Sequence, residues 1–397
     1  MNKNQLFAFI LLFCCNPFLG TFFLLILKLL YNKREKNSDF LLFIFITLFA
    51  CLLQSTRIWN VNQPSDWYGE GYWGLFLEVK NTSLWNYLSS ASKEPLWRLL
   101  SYIGYYITGN NYLIFANFIA LSTFVISGAA IYRYWRYSLS SPLTLIGMLF
   151  LLFFFTEYWG QVNNLLRQFF AMSIVTYVYV NKLITGKIKW KILICACLIH
   201  TFSFIFLFLL LCKPFYKIIR FKQVMYIASL VLVTGIAINH ISIFKTIFAG
   251  VDFLAYGFER IETAADPTDQ NRLNSTSVYI TAFFISFICL SMNYYFRIFK
   301  WSIFYTNILL AIMLICIFLV DLMPEIMSRI YVSRFYIFPF VLPFFLIKYK
   351  GLYQPYIYGI ILFFGFRFLI EFNGIRGGGF FPPISDLLTR NLLQYFL

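Results

Sequence analysis

Charge is scarce in this chain, and negative charge scarcest. Only 12% of the 397 residues are charged, with 16 acidic against 32 basic side chains, while 60% are hydrophobic. Soluble chains carry about a quarter charged residues, so soluble domains are excluded as the main architecture. Histidine occurs only at His200 and His240, and the eight cysteines (Cys14, Cys15, Cys51, Cys195, Cys197, Cys212, Cys289, Cys316) fall within apolar segments without a CxxC pair. That spacing suggests neither a disulfide framework nor a zinc site. Walker, GxGxxG, GxSxG and HExxH patterns are missing too, so nucleotide hydrolysis, dinucleotide redox chemistry and zinc proteolysis lack support. No cofactor and no metal is expected. The net charge of +16 does not imply nucleic acid, because the lysines gather at the ends of apolar runs, where anionic lipid is the natural contact.

What the chain has in quantity is long apolar runs and aromatic residues, the latter 22% of the whole. Backbone groups in lipid must be satisfied internally, and these runs are too continuous for the alternating strands of a barrel. The expected fold is all-α, a polytopic transmembrane helical bundle of about ten full spans plus short interfacial or re-entrant helices. Spans are expected near 5–30, 39–55, 111–132, 141–157, 169–184, 223–240, 277–296, 302–321, 336–347 and 354–372. The first has no small-residue cleavage site and reads as a retained span. The chain reads as a single integral membrane domain, 1–397, with an external loop carrying an interfacial helix at 56–110 and a second external loop at 241–276.

Lysine fixes the orientation. If 190–212 is two short halves broken near His200, 13 lysines face the cytoplasm and 4 face outward, the termini face outward, and 14 of the 16 acids lie outside. Arginine does not follow: five face inward and nine outward, namely Arg57, Arg98, Arg167, Arg260, Arg272, Arg329, Arg334, Arg376 and Arg390. A guanidinium never deprotonates and binds phosphate or carboxylate through two parallel hydrogen bonds, so an external excess points to an anionic ligand. The external aromatics, Asp66-Trp67-Tyr68, Tyr72-Trp73 and Trp85 with Tyr87, are either interfacial belts or platforms for sugar rings.

Five places hold candidate functional groups. In NNLLRQFFAMSIV, Arg167-Gln168 stands at the start of an apolar run with no acid nearby in sequence, either as a snorkelling anchor or to meet an anion. In KEPLWR, Pro95 suits a first helical turn, and Glu94 and Arg98 are spaced to pair along one face. His200 lies deep in LICACLIHTFSF, as a functional ionisable group or as an interhelical hydrogen-bonding one. Arg329, Tyr331 and Arg334 in MSRIYVSRFYIFPF suit anion contact, whereas Arg367 and Glu371 are expected to neutralise each other.

In order along the chain, Arg57, Asp66-Trp67-Tyr68, Glu94-Pro95-Leu96 with Tyr102, Arg167-Gln168-Phe169-Phe170-Ala171, and Ala196 to His200 resemble the EpsG-like, Wzy-type bacterial polysaccharide polymerases. Those proteins show an E-P-[LF] stretch, an R-Q-x-[LIF]-A stretch and an A-x-x-x-H helix in this order. The likeness covers roughly 57–211 and, more loosely, 329–343; Ile199 stands where Phe is usual, and FFPPISD at 380–386 only loosely matches. The resemblance implies an O-antigen or exopolysaccharide polymerase in a bacterial inner membrane, active at its periplasmic face. Its substrates would be oligosaccharides on undecaprenyl diphosphate, with a flippase and a chain-length regulator as pathway partners. On that reading Arg167, Gln168, Arg329, Tyr331, Arg334, Arg57 and Arg98 hold the diphosphate, and Glu94, His200 or Asp66 deprotonates the acceptor hydroxyl. The rivals are a lipid-oligosaccharide flippase, which should show two related halves, and a membrane O-acyltransferase built on His200. A ligase that joins finished polymer to lipid A core differs only in its acceptor.

Overall fold

The computed structural model describes residues 3–30, 34–57, 72–89, 94–220, 275–295, 298–320, 324–372 and 381–395, with the single positions 225, 226, 229 and 233. The chain is an all-α polytopic helical bundle, and no strand occurs among the described residues. It divides into two compact units, Met1–Phe204 with Gly351–Leu397, and Ile205–Lys350.

The first unit holds α1 (Lys3–Cys15), α2 (Pro17–Leu30), α3 (Lys36–Ser55), α4 (Tyr72–Leu77), α5 (Leu84–Ser89), α6 (Pro95–Ile107), α7 (Tyr112–Ser138), α8 (Pro142–Phe153), α9 (Thr156–Asn164), α10 (Leu166–Thr185) and α11 (Trp190–Ile199). Next, α12 (Ser203–Leu211) carries the chain into the second unit, which contains α13 (Ser275–Tyr294), α14 (Ile303–Leu319), α15 (Pro324–Val332) and α16 (Phe338–Val341). The chain returns to the first unit along α17 (Lys350–Phe372) and α18 (Ile384–Thr389).

Among the described residues fewer spans are present than the ten expected. Five helices among the described residues are long and apolar enough to cross a membrane: Asn37–Ser55, Tyr112–Ser138, Thr276–Tyr294, Lys300–Leu319 and Lys350–Ile370. A sixth is the pair α8 and α9 if counted as one span bent by 49°. The differences have local causes. Run 5–30 breaks at Asn16, whose amide donates to the carbonyls of Leu387, Leu388 and Arg390 and whose Oδ1 accepts the Leu19 N–H. Pro17, without an N–H, then starts α2. Run 336–347 contains Pro339 and Pro343 and forms only the four residues of α16 flanked by 3-10 turns. The 20 residues of α10 include Arg167, Gln168, Asn181 and Lys182, which make it too polar for the same class. Expected span 223–240 lies outside the described residues except at 225, 226, 229 and 233, as does most of loop 241–276.

Within the first unit α7 and α10 run in parallel, their starts near Tyr112 and Arg167 and their ends joined by Arg133 Nη1 donating to the Tyr177 hydroxyl at 2.9 Å. Between α3, α7 and α9 the fully buried amides of Gln54 and Asn163 exchange two hydrogen bonds, 2.8 and 3.2 Å, and Gln54 also donates to Asn117 at 3.2 Å. A buried polar group demands such partners. The amide exchange fixes the end of α3, just before Arg57, against the end of α9, just before Arg167. At the other end Lys28 meets Asp39 at 2.6 Å and Ser38 at 2.8 Å.

Candidate active site

Pro95 opens α6 and Glu94 caps it from the left-handed region, at φ 59° and ψ 51°. A non-glycine residue held there costs about 1–3 kcal/mol and persists only where its surroundings fix it. Here they do. The carboxylate is 5% exposed, its Oε2 lies 2.5 Å from Arg167 Nη1, and its Oε1 accepts the Thr201 N–H at 3.4 Å with His200 Nε2 at 3.7 Å.

Each partner reaches Glu94 from a helix terminus. Arg167 lies in the first turn of α10, beyond a break at Leu165 (φ −113°, ψ 49°), and its guanidinium stands 4.5 Å over the Tyr72 ring. His200 ends α11 in extended conformation, and a new helix starts at Ser203, so the break expected near His200 is present. Its Nδ1 accepts the Phe202 N–H at 3.2 Å. That bond leaves the imidazole proton on Nε2, the nitrogen facing Glu94. Arg57, buried at the end of α3, and Arg167 both act electrostatically on the Tyr112 hydroxyl. Burial pushes the Arg57 guanidinium down to about 9, which still leaves a cation at neutral pH.

One expected pair is replaced. Glu94 stands outside α6 in left-handed geometry, off the register that a pair with Arg98 needs. Arg98 instead lies 3.5 Å from Glu78, donates to the Tyr87 carbonyl at 3.2 Å and sits 4.9 Å over the Tyr87 ring. Likewise Arg367 reaches Glu157 at 2.7 Å, while the Glu371 side chain lies outside the described residues. Arg167, with no acid nearby in sequence, has one in space, 73 positions away.

The remaining candidates fall elsewhere. Gln168 is buried in the first turn of α10. Asp66 lies outside the described residues, as do Trp67, Tyr68, Arg260, Arg272 and Arg376. Arg329, Tyr331 and Arg334 belong to the second unit, where Arg334 Nη1 donates to the Tyr331 carbonyl at 2.9 Å and its guanidinium stacks 3.4 Å from the Tyr331 ring and 4.4 Å from Phe335. Sequence reasoning missed the Thr201 amide, the Tyr72 ring over Arg167, and the Gln54–Asn163 exchange; only the last left a signal, two amides at the ends of apolar runs.

The family model described as the EpsG family matches residues 40–382, a stretch that holds every residue of this site. The chain belongs to the EpsG family. No curated protein and no solved structure matches it. Membership agrees with the resemblance drawn from the E-P, R-Q and A-x-x-x-H stretches, and it places the chain in polysaccharide biosynthesis at a membrane. Two of those stretches that the sequence keeps far apart supply Glu94 and Arg167, and the third supplies His200.

Proposed function

We propose that this EpsG-family chain is a Wzy-type polymerase, a glycosyltransferase that moves a growing glycan from undecaprenyl diphosphate onto the next lipid-linked repeat unit at the periplasmic face of a bacterial inner membrane. The observation that carries the reading is the buried Glu94 carboxylate held between Arg167 and His200, assembled from the three stretches that mark the family resemblance. In the reaction a hydroxyl of the incoming unit attacks the anomeric carbon, the bond from that carbon to the diphosphate oxygen breaks, and the hydroxyl proton passes to a base. Negative charge grows on the leaving diphosphate. Arg167, with Arg57 nearby around Tyr112, supplies the opposing cations beside a buried carboxylate, where such charge counts for more than in open water.

The geometry favours Glu94 over His200 as the base. His200 Nδ1 is engaged by the Phe202 N–H and its Nε2 carries the proton, so neither nitrogen is open to receive another. A carboxylate offers about four acceptor positions, and a diphosphate that draws Arg167 toward itself frees Oε2 for the acceptor hydroxyl. His200 and the Thr201 amide then hold Oε1. The same tautomer weakens the acyltransferase alternative, which needs an unprotonated imidazole nitrogen facing substrate. A flippase and a chain-length regulator remain the pathway partners this reading implies.

The test is the surface-polysaccharide ladder of a strain lacking the gene, complemented with wild type or Arg167→Ala at equal protein level. We expect collapse to one capped repeat in the deletion, rescue by wild type, and none by the variant. A full-length ladder in the deletion rejects a required polymerase. Rescue by Arg167→Ala rejects the role given to that arginine.

A further inference from the structure

The far end of the first unit's bundle carries basic side chains of a different kind. Arg133 and Arg136 close α7, Lys182 lies in the last turn of α10, and Lys187, Lys189 and Lys191 surround the start of α11. Among the described residues none of these six is ion-paired with a carboxylate. Two of them share one aromatic ring: Arg133 donates to the Tyr177 hydroxyl at 2.9 Å with its guanidinium carbon 5.5 Å from the ring centre, and Lys189 Nζ lies 5.2 Å from the same centre. Drawing two cations to one ring raises their repulsion unless an anion sits with them.

Position along the helix identifies that anion. From Tyr112 to Arg133 α7 rises about 30 Å at 1.5 Å per residue, roughly the thickness of the hydrocarbon core. The segment between is apolar, and α7 is among the helices fit to cross a membrane. If Tyr112 marks one boundary, Arg133 lies at the headgroup level of the opposite leaflet. Exposed Tyr137, Leu139, Trp190 and Ile192 flank the cations there, the mixture of aromatic and apolar side chains that an interface accommodates. A soluble anion would use the cations and leave these apolar neighbours in water, whereas a phospholipid uses both.

We infer that Arg133, Lys189 and the Tyr177 hydroxyl form a binding site for the phosphate headgroup of an anionic glycerophospholipid, seated at the membrane boundary opposite to the Glu94 site. The full-length protein would be purified and placed in nanodiscs of phosphatidylcholine alone or mixed with phosphatidylglycerol, then released into detergent. Lipid retained on each chain is counted by native mass spectrometry. A basic residue at an anionic surface contributes about 1 kcal/mol, so Lys189→Gln should lower the preference for phosphatidylglycerol about fivefold and the Arg133→Gln/Lys189→Gln pair roughly thirty-fold. Lys187→Gln, an exposed neighbour with no contact to Tyr177, should keep it. Lys189→Gln changes an exposed side chain, so its result does not depend on whether the pair variant folds. Equal retention of the two lipids by wild type, or an unchanged preference in Lys189→Gln, overturns the site. Displacement of retained lipid by glycerol phosphate as effectively as by phosphatidylglycerol overturns the membrane part and leaves a soluble-anion site.

Discussion

The two ends of the first unit's bundle are both basic, yet they use their cations in opposite ways. At the Glu94 end Arg98, Arg167 and Arg367 each meet a carboxylate, Glu78, Glu94 and Glu157. At the far end the arginines and lysines that close α7 and α10 and open α11 meet none among the described residues, and there only the buried Lys28 has an acid, Asp39. A solvated lysine needs no counterion and serves to orient a chain in a membrane. A buried carboxylate does need one, and once paired it fixes the guanidinium in a single direction. The difference suggests that the Glu94 end is built for placement and the far end for attraction.

The sharpest way to break this contrast is to remove charge from the hub while keeping its shape. Glu94→Gln retains hydrogen-bonding reach toward Arg167, Thr201 and His200 but cannot take a proton. If Glu94 is the base, repeat addition in proteoliposomes should slow by about 10²–10⁴-fold while the protein still folds and inserts. A rate within about twofold of wild type would reduce Glu94 to a structural counterion and return the proton to another group.

A smaller effect is expected from the amides behind the site. Gln54→Leu or Asn163→Leu leaves the opposite amide buried without its exchange partner, a cost of about 1–3 kcal/mol. Thermal melts in detergent should show each single variant destabilised and the double variant less so than the sum, because the second change removes the group that the first left unsatisfied. Strict additivity would mean that the two amides do not act as a pair. Their place just before Arg57 and Arg167 gives the comparison its mechanical side, since the site end is held by polar bonds deep within the bundle.

Much of the helical content was legible because apolar runs report it directly, and the break at His200 followed from counting lysines on each side. Pro95 at the start of α6 was legible for the same local reason. What escaped was decided by contacts distant in sequence. Asn16 breaks the first run because residues more than 370 positions away offer their carbonyls, and Glu94 turns from Arg98 to Arg167 because its own backbone is left-handed. Sequence spacing offers i,i+4 partners readily and cannot weigh them against a partner that folding brings closer. The E-P, R-Q and A-x-x-x-H stretches hold residues that meet at one carboxylate, but their order along the chain did not say so.

The smallest expected effect separates pairing from burial. Arg98 and Arg167 both face a glutamate, so pairing alone would make them equally important. Glu78, however, is 54% exposed and 3.5 Å from Arg98, whereas Glu94 is 5% exposed and 2.5 Å from Arg167. An exposed pair contributes about 0–1 kcal/mol because water and salt screen it. Glu78→Gln should therefore shift the melting temperature little and leave the repeat-addition rate close to wild type, with any effect fading as salt is raised. A large loss of activity without loss of stability would mean that Arg98, freed from Glu78, disturbs the site through Tyr87. The arginine would then belong with Arg167 as a positioned group, and the contrast between the two ends would extend along the whole of α6.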